Sequence, residues 1–180
     1  QDSTLQPAIF DLKRLGPHFA VTGPPLSGKT TTLYSWIFAL AKCYAPDQIM
    51  LIVIDLQGRF INYGGKESLR NLPHVAASVV DPSELPALAQ KLEAECLALE
   101  NENNTREIYI VIDNFDELSE ETVNTRDGEV RNAGQLLARI ARRYGARGVH
   151  FIAAGTFSST SDLGRIIMAS NYGIGLRTSS

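Results

Sequence analysis

The chain predicts an α/β domain, a mostly parallel central sheet flanked by helices. Three observations carry this. Apolar runs of strand length alternate with segments of helical apolar period. Two of the runs, Ile49–Ile54 and Ile108–Ile112, are almost continuously apolar, as expected of strands buried on both faces, and they lead into Asp55 and Asp113. A glycine-bearing turn, Gly23-Pro24-Pro25-Leu26-Ser27-Gly28-Lys29-Thr30, lies between a short apolar strand and a helix.

The elements follow in order. His18-Phe19-Ala20-Val21-Thr22 reads as the first strand. Thr30 opens a helix in which Leu33, Trp36, Ile37, Leu40, Ala41 and Tyr44 recur at steps of three and four, a core-facing stripe ended by Pro46. After the strand into Asp55, Gln57-Gly58-Arg59 begins a loop, and residues 62–73 read as loop with room for a helical turn. Residues 75–80 hold a short strand. Asp81-Pro82-Ser83-Glu84 starts a helix, capped by Asp81 or Ser83, with Leu85, Leu88, Ala89, Leu92, Cys96 and Leu99 on one face. The strand into Asp113 precedes a polar stretch, 119–128, expected to be a mobile connection. The next helix turns Ala133, Leu136, Leu137, Ile140 and Tyr144 inward. Its outer face carries Arg139, Arg142 and Arg143, a solvated face or a contact for an acidic partner or subunit. Val149–Ala154 is a further strand, and residues 174–176 are the last.

The 180 residues suit one domain, with no repeat, low-complexity stretch or linker. Hydrophobic residues make up 44% and charged residues 21%, ordinary for a globular domain. A net charge of −3 argues against a domain that grips nucleic acid mainly through its phosphates. There is no apolar run of membrane-spanning length and no signal peptide. A start at Gln1 and an end just after an apparent strand suggest a piece of a longer protein. Cys43 and Cys96 lack metal-ligand or redox spacing and read as reduced core or half-core thiols.

The turn at 23–30 fits Gly-x-x-x-x-Gly-Lys-[Ser/Thr], the Walker A phosphate loop, in the strand-turn-helix context the motif requires. Glycine lets the backbone approach an anion, and the unpaired N–H groups of the first helical turn point at it. Lys29 supplies a mobile positive charge, and the Thr30 hydroxyl is a magnesium ligand. The nucleotide-binding residues expected are Gly23, Pro24, Pro25, Leu26, Ser27, Gly28, Lys29, Thr30 and Thr31. The apolar strand ending in Asp113 has the Walker B pattern, which puts a metal-organising carboxylate at the sheet's C-terminal edge. Asp55 ends a strand of the same pattern and is the competing candidate. Asp113 is preferred for its spacing from Lys29 and for the acidic pair Asp116-Glu117 beyond it.

Pro17–Gly23, the strand into Asp55, Leu72-Pro73-His74-Val75, Val80-Asp81-Pro82, Ile112-Asp113 and Gly148-Val149-His150-Phe151-Ile152 occur in the order seen in motor ATPases of the FtsK/SpoIIIE type. The chain resembles that family over nearly its whole length. Ile-Asp-Asn-Phe-Asp at 112–116 is most similar to the later ATPase modules of the EccC/EssC proteins of type VII secretion. The resemblance implies a RecA-like P-loop NTPase fold, ATP with Mg²⁺ as ligand, and assembly with neighbouring ATPase modules or subunits in a ring or filament. It also implies a multi-ATPase parent anchored on the cytoplasmic face of a bacterial membrane, with residues 1–180 as one FtsK/SpoIIIE-like domain. Small helical secreted substrates would dock through their C-terminal tails, with no direct contact to nucleic acid.

The chain departs from the family pattern twice. Active members place Glu after the Walker B aspartate, where this chain has Asn114. They place Ala-Thr-Gln after the Gly148–Ala154 strand, where this chain reads Ala154-Gly155-Thr156, with Thr156 at the glutamine position. Losing general-base help of roughly 10²–10⁴-fold predicts binding without efficient hydrolysis. Two other functions stay open at this level: a DNA translocase, and a structural module whose loop, deprived of two amides by Pro24 and Pro25, holds no nucleotide. For an arginine reaching a neighbour's site, Arg147, Arg165 and Arg177 are candidates.

Overall fold

The computed structural model describes residues 12, 16–62, 68–101, 105–125, 127–170 and 173–176. The elements run β1 (Phe19–Thr22), α1 (Lys29–Cys43), β2 (Ile49–Ile54), β3 (Val75–Val79), α2 (Leu85–Asn101), β4 (Glu107–Ile112), α3 (Phe115–Glu120), β5 (Thr122–Asn124), β6 (Val130–Asn132), α4 (Ala133–Tyr144), β7 (Val149–Ala154), α5 (Asp162–Met168) and β8 (Gly173–Gly175). Six strands form one sheet in the order β3-β2-β4-β7-β1-β8, and each neighbouring pair in it runs parallel. This is the expected α/β architecture.

β2, β4 and β7 are buried along nearly their whole length, which is why their sequences lack polar alternation. Their side chains still alternate between two cores. Met50, Ile52, Ile54, Ile108, Ile110 and Ile112 join Leu85, Leu92, Leu137, Ile140, Leu163 and Ile167, so α2, α4 and α5 cover one face. Leu51, Val53, Tyr109 and Val111 join Leu33 and Ile37 of α1, together with Phe60, Ile61 and Leu69, on the other. Among the described residues no helix is long and apolar enough to cross a membrane.

Several sequence expectations change. The polar stretch after Asp113 is ordered: α3 is followed by an antiparallel hairpin of β5 and β6, pinned by the buried Val123. One inward apolar residue in a three-residue strand is too short a pattern to read as periodicity. Helix α5 was not foreseen; Ser161 caps it by accepting from the Gly164 N–H, and Leu163 and Ile167 bury its inner side. In α1, Leu33 and Ile37 are buried, but Tyr44 lies past the helix end and is exposed. Cys43 is exposed too, whereas Cys96 is buried, and burial pushes its thiol up to about 11. At the start of α2, Asp81 is the cap, accepting from the Ser83 N–H across a short 3-10 turn. Arg139 pairs with Glu93 of α2, and Arg143 lies over the Tyr144 ring.

His18 enters the buried layer just before β1. Its Nδ1 accepts from the Phe151 N–H at 3.2 Å, and its ring packs edge-on to Phe151. A neutral ring protonated on Nε2 satisfies that bond and the one to the Ala141 carbonyl. Burial, with His150 adding to it, holds its pKa down at about 4. The unfolded chain binds a proton near pH 6.5, so the unfolded state binds more protons between about pH 6.5 and 4. Stability from this residue is fully present above pH 6.5 and falls by about 3 kcal/mol as the pH drops toward 4. Urea unfolding at pH 7.5, 6, 5 and 4 should show this loss. His18→Asn should be destabilised at pH 7.5 yet show a shallower decline.

Candidate functional site

The C-terminal ends of the parallel strands gather the singled-out residues. β1 runs into the phosphate loop, β4 into Asp113-Asn114, β2 into Asp55 and β7 into Gly155-Thr156. β7 lies between β1 and β4, so Asp113 ends a strand one removed from the loop's own. It nevertheless meets α1: the Thr30 hydroxyl lies 3.2 and 3.1 Å from the two carboxylate oxygens of Asp113.

The loop's backbone requires its glycines. Gly23 has φ +155°, and a Cβ there would stand 2.5 Å from Ser27 Oγ and 2.6 Å from the Leu176 carbonyl oxygen. Gly28 adopts φ +92° with open space where a Cβ would be, and offers no side-chain cap to α1. The first-turn amides of α1 are thus left for an anion. Leu26 adopts φ +63° at the tip and is fully exposed. The Ser27 hydroxyl is buried with no hydrogen-bond partner among the described residues. Lys29 folds back, its Nζ donating to the carbonyls of Gly23 and Pro24 at 2.9 Å each. Pro24, Pro25 and Thr31 are exposed. A cavity of about 580 Å³ adjoins the loop between α1 and β8, lined by Ser27, Gly28, Thr31, Ser35, Trp36 and Ile174.

Asp113 is buried, and that burial pushes its carboxyl above the usual carboxylate range. Nearby Asp55 adds to the rise, while the Thr30 hydroxyl and the Lys29 charge oppose it. A desolvated carboxylate beside a hydroxyl is a donor set that suits a hard divalent cation. With the free amides of α1, the orphaned Ser27 hydroxyl and the Lys29 ammonium, these residues fit a magnesium-bound polyphosphate.

The chain after Asn114 meets Gly155 and Thr156 where β4 and β7 end. Asn114 adopts φ 54°, ψ 58°, a left-handed conformation that asparagine tolerates, and its side chain makes no capping bond to α3. The chain then turns so that Phe115 and Asp116 pack against the end of β7. A Cβ on Gly155 would lie 2.6 Å from Asp116 Oδ1 and 2.8 Å from the Phe115 N. The Thr156 N–H donates to Asp116 Oδ1 at 3.3 Å, and Glu117 accepts from the Gln57 side chain at 2.9 Å. Both acidic residues beyond Asp113 are therefore engaged elsewhere. Gln57 was read only as the start of a loop; its pairing with Glu117 joins residues sixty apart and left no local signal.

The arginine candidates are not gathered here. Arg147 pairs with Glu100 and Arg165 with Asp162, while Arg177 lies outside the described residues. Arg147 instead borders two cavities, of about 480 and 410 Å³, at the opposite edge of the sheet.

Comparison with known proteins agrees with this geometry. The model of the FtsK/SpoIIIE family matches residues 1–99, which include the phosphate loop and stop short of β4. The ESX-3 secretion system protein EccC3 of Mycobacterium tuberculosis is 26% identical over 95% of this chain, and the chain spans only 13% of that protein's length. The cytoplasmic domain of the type VII secretion ATPase EccC of Thermomonospora curvata superposes with a TM-score of 0.75 at 18% identity, covering 97% of this chain and 21% of that one. The same protein's ATPases 2 and 3, solved in complex with a signal sequence peptide, superpose with a TM-score of 0.70 at 19% identity over 95% of this chain and 31% of that one. The fold is thus that of the RecA-like P-loop ATPases, and the chain belongs to the FtsK/SpoIIIE family.

Proposed function

We propose that this chain is an ATP-binding module of a type VII secretion motor, one that holds nucleotide with Mg²⁺ and hydrolyses it slowly or not at all on its own. The observation that carries the reading is a contrast between adjacent residues. Asp113 meets the Thr30 hydroxyl at the end of the phosphate loop, as a cation site needs, while Asn114 follows it with no carboxylate to accept a proton from water. The Lys29 ammonium and the first-turn amides of α1 would bind the phosphates; Thr30 and Asp113 would hold the metal. When bound, the cation neutralises phosphate charge. Thr156, exposed beside Asp116, offers one short hydroxyl where a longer amide would reach a terminal phosphate.

The similarity to EccC3 supports a place in a secretion motor, and the solved EccC complex supports the docking of a peptide signal on modules of this fold. In this reading the module acts in regulation and substrate docking rather than as the power source. Its neighbours are other ATPase modules or subunits, its cargo is small helical proteins presenting C-terminal tails, and its parent sits at the cytoplasmic face of the cell membrane. Nucleotide bound only to the folded form stabilises it by mass action, by about 2.7 kcal/mol at a hundredfold excess over Kd.

Calorimetry should show MgATP binding to the purified chain and none to Lys29→Ala, whose circular dichroism should be unchanged; equal affinity in the variant would refute the phosphate-loop assignment. Steady-state turnover should lie below about 0.1 s⁻¹, against 1–10³ s⁻¹ for ordinary enzymes. Turnover at motor rates, or turnover stimulated by duplex DNA, would contradict the reading, the latter in favour of a DNA translocase. Asn114→Glu should lower stability by about 1 kcal/mol, because glutamate tolerates the left-handed backbone poorly. It should also raise turnover; no rise would place the defect at Thr156 or in the absence of a neighbouring subunit.

A further inference from the structure

Asp55 is fully buried at the end of β2. One of its oxygens, Oδ2, accepts from the Ile61 N–H at 2.9 Å and so fastens the turn that follows. The other, Oδ1, is buried and has no hydrogen-bond partner among the described residues. A buried carboxylate oxygen left unpaired is costly, and the turn alone does not require it. An asparagine would hold the Ile61 amide equally well without the charge.

The register of the sheet shows where that oxygen belongs. Ile54 and Ile112 are paired on adjacent parallel strands, and the Asp113 N–H donates to the Ile54 carbonyl. Ile54 and Ile112 face the core beneath α2 and α4. By alternation the next residues, Asp55 and Asp113, face the opposite side, that of α1. That side holds Leu33 and Ile37 of α1 together with Phe60 and Ile61, in agreement with the bonds Asp55 makes to Ile61 and Asp113 makes to Thr30. Two carboxylates thus stand side by side at one edge, both desolvated, with the Thr30 hydroxyl on one of them. Magnesium sites take one or two carboxylates, with water and phosphate oxygens completing the shell.

We propose that Asp55 is the second carboxylate of the cation site, its unpaired Oδ1 serving the divalent ion directly or through one water beside Asp113 and Thr30. The inference rests on the nucleotide reading above and extends it to a residue outside both Walker motifs. Asp55 is then a positioning residue for the metal. It restores to this edge the negative charge that Asn114 does not supply.

The test compares wild type with Asp55→Asn, which keeps an acceptor for the Ile61 amide and removes the charge. Three measurements are needed: urea unfolding without metal, Mn²⁺ binding to nucleotide-free protein by electron paramagnetic resonance, and ATPγS affinity by calorimetry with Mg²⁺ and with EDTA. Asp55→Asn should be as stable as wild type or more so without metal, because a buried repulsion is relieved. Mn²⁺ affinity should fall roughly 10- to 100-fold, and the gain in ATPγS affinity from Mg²⁺ should shrink by a similar factor. ATPγS affinity in EDTA should hold or improve. Unchanged Mn²⁺ affinity and an unchanged Mg²⁺ gain would overturn the proposal, and a lowered urea midpoint alongside them would mark Asp55 as a clamp for the turn alone. If wild type binds ATPγS but the variant keeps both its Mn²⁺ affinity and the full Mg²⁺ gain, only this inference fails. If wild type binds no ATPγS, the reading of the previous section fails, and the Mn²⁺ titration still decides the role of Asp55: no binding by wild type, or equal binding by both proteins, overturns it.

Discussion

The contact between the Thr30 hydroxyl and the Asp113 carboxylate ties the first turn of α1 to the end of β4. Those elements are not neighbours in the sheet, because β7 lies between β4 and the strand that feeds the loop. The contact forms because β1, β7 and β4 are parallel and in register, so that their C-terminal ends open on one edge. Every other part of the site depends on that alignment. It sets the loop over the acidic strand ends, lets α1 lie across the sheet, and brings Gly155 and Thr156 between the two. The buried lengths of β2, β4 and β7 give that edge its rigidity.

Much of this was legible in the sequence. Continuous apolar runs identify central parallel strands with little ambiguity, and the phosphate loop identifies the edge at which they end. The strand order was not legible, because local pattern says nothing about which strands pair. β7 reads as one more apolar run, and only the tertiary pairing shows that it separates β1 from β4. The β5–β6 hairpin escaped notice because it buries a single valine among polar residues. Helix α5 escaped because seven residues with a glycine among them carry too few apolar positions to show a period. Asp55 was weighed only as a rival to Asp113. The sheet register pairs the strands that end in the two aspartates, a juxtaposition no local pattern shows.

Asn114 and the Gly155-Thr156 pair lie far apart in the sequence. In three dimensions they are coupled. A left-handed turn at Asn114 brings Phe115 and Asp116 against the end of β7, and only a residue without Cβ fits beneath them. The backbone around Asn114 and that at Gly155 thus constrain each other, and the contact between Thr30 and Asp113 involves neither residue.

The posture of Lys29 has its own consequence. With its ammonium satisfied by two carbonyls of its own loop, the lysine is held by acceptors of the kind a phosphate oxygen would replace. The cradle holds its shape by attraction between a cation and its own main-chain dipoles. A phosphate entering the loop would have to exchange those two charge-assisted bonds for new ones, so its affinity would be a difference between two sets of strong contacts. Two such carbonyls set the threshold that any anion entering the loop would have to exceed.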